Sequence, residues 1–174
     1  GRVFAFEALP ANLKRLRTNL ELNQKLGLVE IIPAAVVDAE RPVQFLVGPS
    51  NGMGKAEGSA GRQGNIYRES LTVAGLSLDA FAYQQGHLLP DVVKMDIEGG
   101  ETLALPGMKR LLTAAHPLLL LELHGAQSAQ IAWKLLTEAG YRLCQMYPGF
   151  PPLASPEKLG WKAYLAAFPL NDGY

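Results

Sequence analysis

Apolar residues along this chain alternate between strand-like runs and helical spacing. Arg2 to Phe6 (RVFAF) is a β-prone run closed by Glu7, and Pro10 behind it suits the first turn of a helix. Leu13, Leu16 and Leu20 follow at helical spacing, with Lys14, Arg15 and Arg17 on the other face. That pattern predicts a helix from about Ala11 to Asn23. Leu28 to Val37 (LVEIIPAAVV) reads as the next strand, although Pro33 argues against a fully paired central position. Beyond the Arg41-Pro42 turn, Val43 to Val47 is another strand, placed to hairpin onto the previous one. Ile66 to Thr72 is weakly strand-like. Leu76 to Tyr83 (LSLDAFAY) is helical, with Ser77 or Asp79 near its start.

The second half repeats the alternation more strongly. Val92 to Met95 is a short apolar strand, and Glu101 to Leu112 is a helix with an interruption at Pro106-Gly107. Pro117 to Leu123 (PLLLLEL) is a nearly continuous apolar run, the pattern of a parallel strand covered on both faces. Ala126 to Ala139 is a helix with Ile131 and Leu135 on its apolar face and Gly140 past its end. Tyr141 to Tyr147 and Ala163 to Phe168 (AYLAAF) are strands joined by a proline-rich loop, which suits an antiparallel pair. Together these elements predict a single α/β domain over residues 1–174 with a largely parallel sheet.

Composition narrows the function classes. The chain has 174 residues, 48% of them hydrophobic and 18% charged, an ordinary globular balance. Sixteen basic and sixteen acidic residues cancel, so no basic field points to nucleic acid. No apolar run is long enough to span a bilayer. The only cysteine, Cys144, excludes an internal disulfide and fits the reducing cytoplasm. Gly48 to Gly64 is glycine-rich, yet its spacing fails the phosphate-loop pattern: Ala56 follows Gly54-Lys55, where Ser or Thr is needed. A mobile surface loop, able to close over a substrate, is the simpler reading.

The candidate chemistry gathers at strand ends. In VVKMDIEGGE, an apolar run ends in Asp96, Glu98 and Glu101, with Gly99 and Gly100 marking a sharp turn. Clustered carboxylates repel, so they need solvent, a cation or ligand donors. Glu7 ends the first strand, and Glu122 and His124 end PLLLLEL. If these strands are parallel, all three ends meet at the sheet edge where α/β proteins bind ligands. Plainer roles stay open: Glu7 or Asp96 as caps for the helices that follow, Glu101 as a solvated first-turn charge, His124 as a structural histidine. A buried Glu122 needs a partner, for which Lys94 is available.

VVKMDIEGGE resembles the K-x-D-x-E-G-x-E signature of FkbM-type S-adenosylmethionine-dependent methyltransferases. VFAFEALPANLKRLRTNLELN is similar to that family's strand ending in F-E-P with an asparagine-rich helix after it. LSLDAF resembles its T-L-D segment, LLLELHG its strand ending in E-x-H, and AYLAAF its closing strand. The resemblance implies a Rossmann-like class I methyltransferase sheet, mostly parallel with an antiparallel final strand. It implies S-adenosylmethionine as cofactor and a small-molecule hydroxyl acceptor, often a sugar or polyketide. A homo-oligomer is compatible with it, and it calls for no metal. Glu7 would meet the ribose hydroxyls, despite Ala8 in place of the usual proline. Asp38 would lie at the adenine edge. Asp96 would close the active site near the methyl, with Asp96 or His124 taking the hydroxyl proton and Glu98 beside them. The family's glycine-bearing first strand and its helix would precede Gly1, so the expectation is an N-terminally incomplete domain whose strands ending at Glu7 and Asp96 do not pair. If the protein begins at Gly1, donor binding should be weak or absent. Two other readings stay open: a metal-dependent hydrolase or transferase using Asp96, Glu98, Glu122 and His124 as Mg²⁺ or Mn²⁺ ligands, and a non-catalytic remnant of the fold.

Overall fold

Proline and glycine decide where most elements stop. The computed structural model describes residues 1–48, 54–60, 67, 69–160 and 162–170. Strand β1 (Val3–Phe6) leads through Pro10 into helix α1 (Pro10–Leu22), whose Leu13, Leu16 and Leu20 are half-buried while the positions between them are exposed. The expected long strand after it is split by Pro33, which cannot donate to a ladder. Its first part, β2 (Val29–Ile32), pairs in parallel with β1; its second, β3 (Ala35–Val36), joins a different sheet.

That other sheet corrects the expected hairpin. Strand β4 (Arg41–Val47) pairs antiparallel with β6 (Glu69–Leu76) rather than with β2 or β3, and with the short β5 (Lys55–Ala56) on its other side. The order is β3-β6-β4-β5. Gly75 is obligatory within β6, because a Cβ there would lie 2.6 Å from the Arg41 carbonyl oxygen and 2.5 Å from a Val43 methyl. The expected mobile loop from Gly48 to Gly64 lies partly outside the described residues. Within them, Lys55, Ala56 and Ala60 are buried, and the Ala60 N–H donates to Thr102 Oγ1 at 3.2 Å. This part is seated structure rather than a free loop.

The third sheet holds the main core. Strands β7 (Val92–Met95), β8 (Leu118–His124), β9 (Tyr141–Gln145) and β10 (Lys162–Pro169) run in the order β7-β8-β10-β9. β7 and β8 are parallel; β10 is antiparallel to both of its neighbours, and its pairing with β9 is the one that the loop joining those two strands predicted. Among the described residues three strand pairs are parallel (β1/β2, β3/β6, β7/β8) and four antiparallel. The β1/β2 pair and β7 belong to separate sheets, and β1 and β7 do not pair.

Helix α2 (Glu101–Ala104) continues through a tight 3₁₀ turn at Leu105–Met108 into a wider helical segment ending at Ala115, and α3 (Ala126–Glu138) follows β8. Leu105, Met108, Leu111, Leu119, Leu121, Leu123, Leu136 and Leu165 are all essentially inaccessible to solvent. Pro106-Gly107 marks a close approach: a Cβ on Gly107 would lie 2.3 Å from the Val37 carbonyl oxygen. The segment after it starts on Asp79, whose carboxylate oxygens accept the N–H groups of Arg110 and Leu111 at 2.8 Å each. Strand β8 is fully buried on one face only. Leu119, Leu121 and Leu123 point into the core, while Leu118, Leu120 and Glu122 are half-covered.

Candidate active site

The half-covered face of β7 and β8 collects the polar groups. Lys94 pairs with Leu120 across the parallel ladder, so Lys94 and Asp96 share a face with Glu122 and His124. On the other side of β8, Lys162 of β10 sits opposite His124 and Tyr164 opposite Glu122. The Lys162 ammonium is paired with Glu122 Oε1. Burial pushes the Glu122 carboxyl up, but the Lys162 hydrogen bond and charge, with His124 and Lys94 adding to them, hold it below the usual carboxylate range. In return the Glu122 bond, then Tyr164, raises Lys162. Lys94, the partner expected for Glu122, instead stands 3.8 Å from Asp96 Oδ2.

The turn after β7 places the remaining acids. The Gly100 N–H donates to the Ile97 carbonyl at 3.0 Å, and the two residues between have φ of +53° (Glu98) and +98° (Gly99). Positive φ at both central positions is the type I′ pattern, which glycine adopts freely and Glu98 does not. This reversal brings Glu101 back beneath the strand end. Glu101 is 0% exposed. Its Oε1 accepts the N–H groups of Ile97 (3.2 Å) and Gly99 (3.3 Å) and faces His124 Nδ1 at 3.4 Å; its Oε2 accepts the Ser128 hydroxyl at 3.1 Å. His124, whose side chain is 3% exposed, presents Nε2 to Glu122 Oε1 at 3.2 Å and Glu98 Oε2 at 3.8 Å.

The sequence-derived candidates therefore divide. Asp96, Glu122 and His124 come together, each offering a ligand atom within 4.8 Å of the others, with Glu98 at the margin. Asp96 is exposed and does not cap α2, whose N-terminus carries no side-chain cap. Glu7, at the end of β1, is half-buried and does act on the helix behind it. The Leu9 N–H donates to its Oε1 at 2.8 Å and Asn12 Nδ2 to its Oε2 at 3.3 Å. Asp38 is exposed beyond β3 and paired with Arg41 at 2.6 Å. The residue undervalued from sequence is Glu101. Read as a solvated first-turn charge, it is instead the buried acid that ties the turn, β8 and α3 together. The signal available for it was the Gly99-Gly100 pair, which permits the reversal.

The mixed α/β fold is shared with solved methyltransferases. The crystal structure of methyltransferase FkbM from Methylobacillus flagellatus KT superposes with a TM-score of 0.59 at 18% identity, covering 96% of this chain and 36% of that one. Precorrin-6y C5,15-methyltransferase from Geobacter metallireducens GS-15 superposes with a TM-score of 0.50 at 15% identity, covering 97% of this chain and 66% of that one. The chain thus spans about a third of the length of the first of these and two thirds of the second. The model of the methyltransferase FkbM domain matches residues 1–143, and the chain belongs to that family. No curated protein matches it in sequence.

Proposed function

We propose that this protein is an S-adenosylmethionine-dependent O-methyltransferase acting on a hydroxyl of a sugar or another small natural-product acceptor, on a Rossmann-like sheet. The observation that carries this reading is the convergence of Asp96, Glu122 and His124 at the ends of adjacent parallel strands in a chain of the FkbM family. When bound, S-adenosylmethionine supplies an electrophilic methyl group on a sulfonium sulfur. Glu7 suits the ribose: its bonds to Leu9 and Asn12 use two of about four acceptor positions on a carboxylate, leaving others for hydroxyl groups. Asp38 would meet the adenine edge.

Asp96 is the group placed to take the acceptor's proton, since it is exposed at the strand end. Glu98, with about a third of its side chain exposed, lines the same opening. His124 is too buried to reach an acceptor directly, so its part is to fix Glu122 and Glu98. The balanced charge, with equal numbers of acidic and basic residues, favours a small-molecule partner over nucleic acid. Among the described residues no helix is long and apolar enough to cross a membrane, and action in the cytoplasm belongs to the same proposal. Titration calorimetry with S-adenosylmethionine tests the reading. Binding should be detectable and at least about tenfold weaker in Glu7→Gln, roughly 1.4 kcal/mol. That variant keeps an acceptor oxygen for the Leu9 N–H, so the loss would not reflect unfolding. Absence of binding at millimolar donor, or binding unchanged by the substitution, refutes the assigned site.

A further inference from the structure

His124 poses a problem that its neighbours do not solve. Its Nδ1 turns to the buried Glu101, which fixes the ring so that Nε2 points into the cluster. Among the described residues the groups paired with Nε2 are carboxylates, Glu122 at 3.2 Å and Glu98 at 3.8 Å. A ring nitrogen inside a 3%-exposed side chain thus stands among carboxylate oxygens, the surroundings that a cation would take. The local charges leave the same gap. Asp96, Glu98, Glu101 and Glu122 are four carboxylates, against the two ammonium groups of Lys94 and Lys162. The acids outnumber the ammonium groups by two.

We propose that Asp96, Glu122 and His124 form a binding site for a divalent transition-metal cation, with His124 Nε2 as the nitrogen ligand and Glu101 as the outer carboxylate that orients the ring. A carboxylate behind a ligating histidine is the usual outer partner at such centres, since it fixes the tautomer and aims the free nitrogen at the ion. The 3.2 Å between Nε2 and Glu122 Oε1 suits two ligands about 95° apart on an ion at roughly 2.2 Å. One imidazole with two carboxylates favours manganese, iron or zinc over magnesium or calcium, which prefer oxygen alone. Asp96 is exposed, so the ion would keep open positions toward solvent. Glu101 lies outside the ligand set, held by Ile97, Gly99 and Ser128. The site stands on this geometry and not on the methyl-transfer reading.

The test is manganese binding to chelator-treated protein, followed by loss of the free Mn²⁺ signal in electron paramagnetic resonance. We expect one ion per chain, displaced by zinc and only weakly by magnesium. Affinity should fall at least tenfold in Asp96→Asn, an exposed position whose change leaves the fold intact by circular dichroism. It should rise in Lys162→Met, which removes the ammonium competing for Glu122. No binding to the wild-type protein at millimolar manganese overturns the proposal. Binding unchanged in Asp96→Asn overturns it equally, because the ion would then sit elsewhere.

Discussion

Replacing Glu101 with alanine should be among the most damaging single changes in the second half of the chain. The carboxylate is fully enclosed and is the acceptor for the Ile97 and Gly99 N–H groups, the Ser128 hydroxyl and the facing His124 nitrogen. Ser128 has a second acceptor in the His124 carbonyl at 3.0 Å, so it survives the loss. The two backbone N–H groups and the imidazole do not. Each buried donor left unpaired costs about 1–3 kcal/mol, while removing a buried charge recovers part of its own desolvation. The net expectation is about 3 kcal/mol, a large share of a typical 5–15 kcal/mol total. Urea unfolding followed by circular dichroism should show the midpoint falling by about 1–3 M, given slopes of roughly 1–3 kcal/mol per molar. Glu101→Gln keeps one acceptor oxygen and should lose roughly half as much. A Glu101→Ala midpoint within about 0.3 M of the parent would refute the anchoring role.

Two further outcomes follow from packing and burial. Burial pushes the Tyr141 hydroxyl up to about 12, and that hydroxyl donates to the Pro117 carbonyl at 3.0 Å. Because its folded value lies above the unfolded value of about 10, this contribution is intact below pH 10 and disappears as pH rises to about 12, by at most roughly 2–3 kcal/mol. Tyr141→Phe should cost about 1 kcal/mol at neutral pH and flatten that alkaline decline, read as urea midpoints from pH 7 to 11.5. A decline as steep in the variant would assign it to other groups. Gly107→Ala would put a methyl 2.3 Å from the Val37 carbonyl oxygen and 2.9 Å from Asp38 Cα, both backbone atoms. It should lower stability by about 1–3 kcal/mol in thermal unfolding, and a neutral result would show that this contact is looser than the structure has it.

Elements with a strong local pattern were readable from sequence. Val92–Met95 forms the strand expected there, and Ala126–Glu138 ends one residue short of the expected helix. What could not be read is pairing. Leu28 to Val37 looks like one strand because its residues are nearly all apolar, yet Pro33 sends its halves to different sheets. The β4/β6 ladder joins segments on either side of the glycine-rich stretch, and nothing in either segment names its partner. The site shows the same split. Asp96, Glu122 and His124 were visible because each breaks or ends an apolar run. Glu101 was not, because a first-turn acid looks the same whether solvent or Ser128 and His124 lie beyond it. Glu7 was visible as a strand-end acid, and the structure adds the Leu9 and Asn12 bonds that also occupy it.

The strand ladders also have an entropic consequence. Among the described residues, no pairing joins positions more than about fifty residues apart, from Val3↔Val29 to Leu119↔Ala167. Closures of this length carry a modest entropic penalty, since each doubling of loop length adds only about 0.6 kcal/mol. The segment from β7 to β10 contains Asp96, Glu98, Glu101, Glu122, His124 and Lys162 together. The acid cluster is therefore built from one contiguous stretch of chain.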